Sequence, residues 1–122
     1  AYYSPTDDQI TMPESGRFFD TASGTRSKNY YAVLLHELTH WTGHPSRCAR
    51  DLRNRFGDAA YAMEELVAEI GSAFFCARLG ISSSPREDHA QYLGNWLFVL
   101  KGDKRAIFTA AAKAQAAIDF VL

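Results

Sequence analysis

The rhythm of apolar and polar positions changes once along the chain. Over residues 1 to 29, Pro, Asp, Ser, Thr and Gly interrupt every apolar run, and only QITMP at 9 to 13 alternates, with Ile10 and Met12 set between polar neighbours. A two-residue period is that of a half-buried strand, so the spacing predicts one short strand there and a second near Arg17 to Phe19. After Asn29 the period becomes helical. Tyr30, Val33, Leu34, Leu38 and Trp41 recur at three- and four-residue steps, which predicts a helix over about 30–42, stopped by Gly43 and Pro45.

Residues 45–57 carry arginines at 47, 50, 53 and 55 and read as an irregular connection with one helical turn, the arginines keeping the loop in water rather than guiding a DNA-bound substrate. Asp58 is a candidate N-cap for a long helix reaching Leu79, with Gly80 as its stop. SPRE at 84 to 87 is a capping box with Pro at the first helical position, opening a third helix toward Lys101. Asp103 caps a fourth through the alanine-rich C-terminal stretch. The pattern predicts an α+β, mainly helical fold with a small N-terminal β part and about four helices.

Length and composition narrow this further. The chain has 122 residues, which fits one domain with a modest core and leaves no room for a second. Its net charge of −1 exerts no general pull on nucleic acid or anionic membrane, so any DNA binding is expected from elsewhere. The most apolar segments, AVLL at 32 to 35 and WLFVL at 96 to 100, fall far short of the roughly 18 residues of a membrane span, and a soluble protein is expected. With no initiator Met and no basic-then-apolar leader, the chain reads as an excised domain or a processed product. Cys48 and Cys76 form no disulfide framework and read as separate thiols, which favours a reducing compartment.

The candidate chemistry lies in HELTHWTGHPS, residues 36 to 46. On a helix, His36 and His40 stand one turn apart on the same face and converge on one ion, while Glu37, about 100° around, reaches a water bound there. Zinc suits two neutral imidazoles and a carboxylate, with Glu37 as general base and later as proton donor to the leaving amine. Composition alone would produce HExxH by chance in about 0.6% of such chains, and here it also falls on a predicted helix behind the apolar run YYAVLL.

His44 is the weaker candidate for the third ligand. It comes two residues too early for the extended three-histidine motif, whose last position holds Ser46, and it lies beyond the helix stop. EELVAE at 64 to 69 offers a better source. Glu65 and Glu69 stand four apart and share a face with the small residues Ala68, Ser72 and Ala73; burying two carboxylates there is costly unless a cation compensates them. The arrangement resembles the glutamate-type zincins, with Glu65 as ligand and Glu69 accepting a hydrogen bond from a ligating histidine. The reversed roles remain open. Glu64 projects away from that face and is assigned to solvent. For the oxyanion donor that such a hydrolase needs, His89 and Tyr92, three residues apart on the third helix, are the candidates.

The runs YYAVLLHELTHWTGH, YAMEELVAEIGSAFFCARLGI and HAQYLGNWLFVLKGDKRAIFTAAAKAQAA together resemble the C-terminal zincin-like metallopeptidase domain of ArdC-type antirestriction proteins of conjugative plasmids. The resemblance spans nearly the whole chain, including SPTDDQITMP. It implies a zincin-like fold, one zinc ion per chain on His36, His40 and an acid among Glu64, Glu65 and Glu69, and Glu37 as base. It also implies a single-stranded-DNA-binding N-terminal domain that this chain lacks, a protein substrate and a bacterial cytoplasmic setting. An active peptidase domain is the first expectation. A metal-holding interaction module without proteolysis, and a helical domain without metal, are the alternatives.

Overall fold

The computed structural model describes residues 1–21, 24–52, 58–81, 94–96, 98, 100 and 103–122. Strands β1 (Tyr2–Ser4) and β2 (Gln9–Thr11) pair antiparallel, with Tyr3 opposite Ile10. Helices α1 (Arg26–Thr42), α2 (Ala59–Leu79) and α3 (Lys104–Val121) follow, so the fold is α+β and mainly helical. Residues 94–96 are also helical, inside the stretch where the capping box predicts a helix. The box itself and most of that stretch lie outside the described residues.

The alternating QITMP run does form a strand, over its first three residues. Its partner is not the expected segment near Arg17 to Phe19. Ser15–Arg17 is instead a single 3-10 turn, in which the Arg17 N–H donates to Glu14 O and the Phe18 N–H to Ser15 O. Phe18 leaves this turn to pack edge-on against Tyr30, with ring centroids 5.2 Å apart, so an aromatic pair that looks strand-like is a contact onto α1. The true partner, Tyr2–Ser4, is too short to display a period.

Helix α1 begins four residues before its apolar pattern does. Thr25 Oγ1 accepts from the Lys28 N–H at 3.3 Å, and Asp20 Oδ1 accepts from the Arg26 N–H at 2.8 Å. The first turn is polar and thus invisible to hydrophobic periodicity, while side-chain caps hold it. Helix α2 starts after Asp58 and ends as expected at Gly80, which adopts φ 68°, so that the Ile81 N–H closes on Cys76 O at 2.9 Å. Asp103 caps α3 by accepting from the Arg105 N–H at 2.9 Å.

Helix α3 buries Ala106, Ala110, Ala114, Ala117 and Ile118, an alanine stripe at three- and four-residue steps that lets it lie close on Leu66 and Val67 of α2. A second cluster, Leu35, Phe75, Cys76 and Ile118, joins all three helices. Cys48 and Cys76 are both free thiols. Between α1 and α2 the approach is tighter still. A Cβ on Gly71 would stand 2.6 Å from both Thr39 Cγ2 and Oγ1, and Thr39 is fully buried with its hydroxyl donating to Leu35 O at 2.8 Å. Backbone therefore meets side chain at this crossing. At the next residue of α2, Ser72 Oγ donates to Ala32 O, two turns before Thr39, at 2.8 Å.

Residues 43–52 correct the expectation of a solvated loop. The Cys48 N–H donates to Thr42 O at 2.7 Å and the Arg50 N–H to Gly43 O at 3.0 Å, folding the segment back onto the end of α1. Arg47 lies over the Trp41 ring, 3.8 Å from its centroid, donates from Nε to Trp41 O at 2.7 Å and pairs with Asp8 in the hairpin turn. The Asp8 carboxylate in turn accepts from the Tyr3 hydroxyl at 2.7 Å; burial and that carboxylate push the phenol up to about 12. These contacts tie the hairpin to the C-terminal end of α1. Arg53 and Arg55 lie outside the described residues.

Candidate metal centre

Helices α1 and α2 place four carboxylates and two imidazoles at their seam. His36 Nε2 and His40 Nε2 lie 3.2 Å apart, and the Glu65 carboxylate sets Oε2 at 3.3 Å from the first and Oε1 at 3.3 Å from the second. A tetrahedral ion with ligand bonds near 2.1 Å separates its ligand atoms by about 3.4 Å, and each of these three contacts is close to that spacing, the two to Glu65 being made by its two different oxygens. Potential ligand atoms of these three residues all lie within 4.8 Å of one another.

The other ring nitrogens explain why the Nε2 atoms face inward. His36 Nδ1 is 3.1 Å from Glu69 Oε1, and His40 Nδ1 is 2.7 Å from Glu64 Oε2. A carboxylate accepts only, so each Nδ1 carries the donated proton, and each Nε2 lone pair points toward Glu65 and the other ring. Electron-rich atoms converging in this way repel one another unless a cation or a proton stands among them. In the metal-free protein a proton does so. Burial, the largest single influence, disfavours charge on His40, but the combined pull of Glu64 and Glu65 raises it to about 10; His36 is raised likewise by Glu65 and Glu69. Burial also opposes ionisation of Glu65, yet its bonds to both imidazoles hold the carboxyl well below the usual carboxylate range. The donor set, the spacing and the oriented lone pairs all fit a divalent ion.

The structure brings His36, His40, Glu65 and Glu69 together. Glu64 is a correction. Its place off the Glu65 face predicts solvent, but it is 7% exposed, contacts His40 Nδ1 and accepts from Arg50 Nε at 2.8 Å. Helix α2 buries residues on several of its sides, from Ala62 through Glu69, so a position 100° from Glu65 is still inside. Of the small residues expected at the seam, Ala68 and Ser72 are buried, whereas Ala73 is exposed and Gly71 makes the close approach instead. His44 keeps apart, its Nδ1 accepting from the Ser46 N–H at 3.1 Å. It lines a separate groove with Pro5, Pro45 and Leu52.

A cleft of about 310 Å³ opens on this centre, lined by Tyr2, Tyr3, Glu37, His40, Tyr61, Glu64 and Glu65 among others. Glu37 is 8% exposed there. Tyr61 stands one turn before Glu65, and its phenol donates to that carboxylate; burial, then the charges of Glu65 and Glu37, raise it above the ordinary phenol range. Sequence reasoning overlooked Tyr61, although its four-residue spacing from Glu65 was the available signal. His89 and Tyr92 lie outside the described residues.

Known proteins resemble this chain over nearly all of its length. Residues 1–113 match the family described as zincin-like metallopeptidase. The chain is 50% identical over 121 residues to the uncharacterized protein y4eC of Sinorhizobium fredii, covering 99% of this chain and 38% of that protein. It is 48% identical over 122 residues to the DNA primase TraC of Escherichia coli, covering all of this chain and 11% of TraC. The crystal structure of the antirestriction protein ArdC from plasmid R388 with Mn(II) bound superposes with a TM-score of 0.75 at 45% identity, over 99% of this chain and 43% of ArdC. The metal-free ArdC structure gives 0.73 at the same identity, over 41% of its length. The chain thus spans less than half of each of these relatives.

Proposed function

Because the chain belongs to the zincin-like metallopeptidase family, we propose that it is the metal-dependent, peptide-hydrolysing domain of an antirestriction protein, with His36, His40 and Glu65 holding one divalent ion. The observation that supports this reading most is the convergence of the two Nε2 atoms and the Glu65 carboxylate, with contacts of 3.2 to 3.3 Å and each imidazole backed by its own glutamate. Two imidazoles and a carboxylate are zinc ligands, and the same donors accept manganese, the ion in the ArdC structure.

When bound, the ion supplies Lewis acidity, polarising a peptide carbonyl and lowering the pKa of a coordinated water toward ~7. Glu37, buried in the wall of the cleft, takes the proton of the attacking water and returns it to the leaving amine. Glu64 and Glu69 hold the two rings in the Nδ1–H tautomer, and Tyr61 steadies Glu65 through its phenol. The cleft takes an extended protein segment as substrate.

The remaining three fifths or so of y4eC and ArdC has its counterpart, in this reading, in a separate domain that binds single-stranded DNA in the bacterial cytoplasm. The plasmid origin of ArdC and the match to TraC favour such a setting. Among the described residues no helix is long and apolar enough to cross a membrane.

The test is Glu37→Gln in the full-length protein, followed by zinc content, cleavage of a denatured protein such as casein, and protection of incoming DNA from restriction. Zinc retained near one per chain with cleavage reduced about 10²- to 10⁴-fold is the expected outcome. Equal cleavage by the variant and the parent removes Glu37 from the chemistry. If no cleavage is seen in either and protection persists in the variant, the domain is a metal-holding interaction module.

A further inference from the structure

Arg50 is the least expected member of the centre. It comes from the loop after α1, and its side chain is 6% exposed. Its Nε donates to Glu64 Oε1 at 2.8 Å and its Nη2 to Glu64 Oε2 at 3.2 Å, a two-point grip that fixes the plane of the carboxylate. The same guanidinium donates from Nη1 to Thr42 Oγ1 at 3.0 Å and from Nη2 to Thr39 O at 2.5 Å. Glu64 Oε2, so held, is the atom 2.7 Å from His40 Nδ1. A continuous chain of hydrogen bonds therefore runs from the end of α1 through Arg50 and Glu64 to one imidazole.

Two backbone features make room for this guanidinium. Gly43 has φ −76°, a conformation open to any residue, but a Cβ there would lie 2.9 Å from Arg50 Nη2 and 3.0 Å from Leu52 Cδ2. The glycine therefore supplies space. Ala49 adopts φ 52°, the left-handed region that an L-residue with a side chain enters only at a cost. That turn sends the chain back toward Gly43 and delivers Arg50 beneath the helix end.

We infer that Arg50 is a positioning residue of the metal centre: by gripping Glu64 it fixes the orientation and tautomer of His40, and so sets how tightly the divalent ion is held. This rests on the reading that His36, His40 and Glu65 are the ligands. Without the grip, Glu64 is free to turn away from His40, and the imidazole loses the bond that directs its Nε2 lone pair. The buried charge of Arg50 also offsets part of the negative charge that Glu37, Glu64, Glu65 and Glu69 gather around one site.

The experiment measures zinc affinity by chelator competition, and the visible absorption of the cobalt(II)-loaded form, in the full-length protein and its variants. Glu64→Gln and Arg50→Met are each expected to weaken zinc binding about 10- to 100-fold, the range for partners that orient a ligating histidine. Because Arg50 acts through Glu64, the double variant is expected to bind no more than about 2-fold more weakly than Glu64→Gln alone, the mark of two residues in one network. Parental affinity in Arg50→Met, or losses that multiply in the double variant, overturns the inference. Should Arg50→Met not fold, Arg50→Lys carries the test, since it keeps the charge and loses the fork. Weaker binding with a shifted cobalt spectrum supports the inference, and parental values for both overturn it. A parent protein that takes up neither metal overturns the ligand reading itself, an outcome distinct from parental binding that Arg50 variants leave unchanged.

Discussion

His36 and His40 are neighbours on one helix face, yet they are held by different devices. His36 is backed by Glu69, which stands on α2 between Ala68 and the close approach at Gly71. His40 is backed by Glu64, whose carboxylate is gripped by an arginine from a loop. The first half of the centre is built from the packing of two helices, and the second depends in addition on how ten residues fold after the helix ends. The same job, orienting an imidazole, therefore carries different consequences for stability on the two sides.

The largest expected effect comes from breaking each carboxylate in turn. Glu64→Gln leaves the buried Arg50 charge without its counter-ion, which costs roughly 3–5 kcal/mol for a buried pair. Glu69→Gln keeps the hydrogen-bonding shape and is expected to cost about 1–3 kcal/mol, the range for weakening a buried polar contact. Urea unfolding of the metal-free proteins checks this, and equal losses would mean that Arg50 adds nothing to its half.

A second expectation concerns pH. In the metal-free protein His36 and His40 titrate above their unfolded value near 6.5, so their stabilising contribution is complete below that pH and is lost as pH rises toward about 10. Metal must displace those protons, while Glu65 stays ionised throughout. The stabilisation added by zinc is therefore expected to grow between pH 6 and 9, by up to about 1.4 kcal/mol per pH unit for each proton released. Melting temperatures with and without zinc across that range test the sign; a gain that shrinks with pH contradicts it. The smallest effect is at Ala49. Replacement by glycine relieves the left-handed strain while loosening the unfolded chain, so Ala49→Gly is expected to stabilise by no more than about 1 kcal/mol, with zinc affinity unchanged.

The unequal halves also differ in how legible they are in the sequence. HELTH declares itself because helical spacing alone aims two imidazoles at one point. Glu65 and Glu69 follow from the cost of burying acids beside small residues, and the structure does bring both to the imidazoles. Glu64 and Arg50 escape the sequence pattern for one physical reason. An acid off the apolar face and an arginine in a loop are ordinarily solvated, and only the three-dimensional cover of α2 by α1, α3 and the 43–52 segment buries them together. The same limit explains the hairpin: a three-residue strand has too few positions to show alternation, and its anchoring by Arg47, Asp8 and Tyr3 links residues 39 and 44 apart.

Gly71 bears no donor, acceptor or charge in its side chain, and it touches no residue that faces an ion. Yet the smallest added group there meets Thr39, one position before His40, on a threonine already tied down by its own hydrogen bond. Widening the seam by a fraction of an ångström would draw Glu65 from both imidazoles and Glu69 from His36 at once. The position therefore bears on the site through packing alone. A chain that no longer needed the ion could lose the histidines without cost to this crossing, but not the glycine.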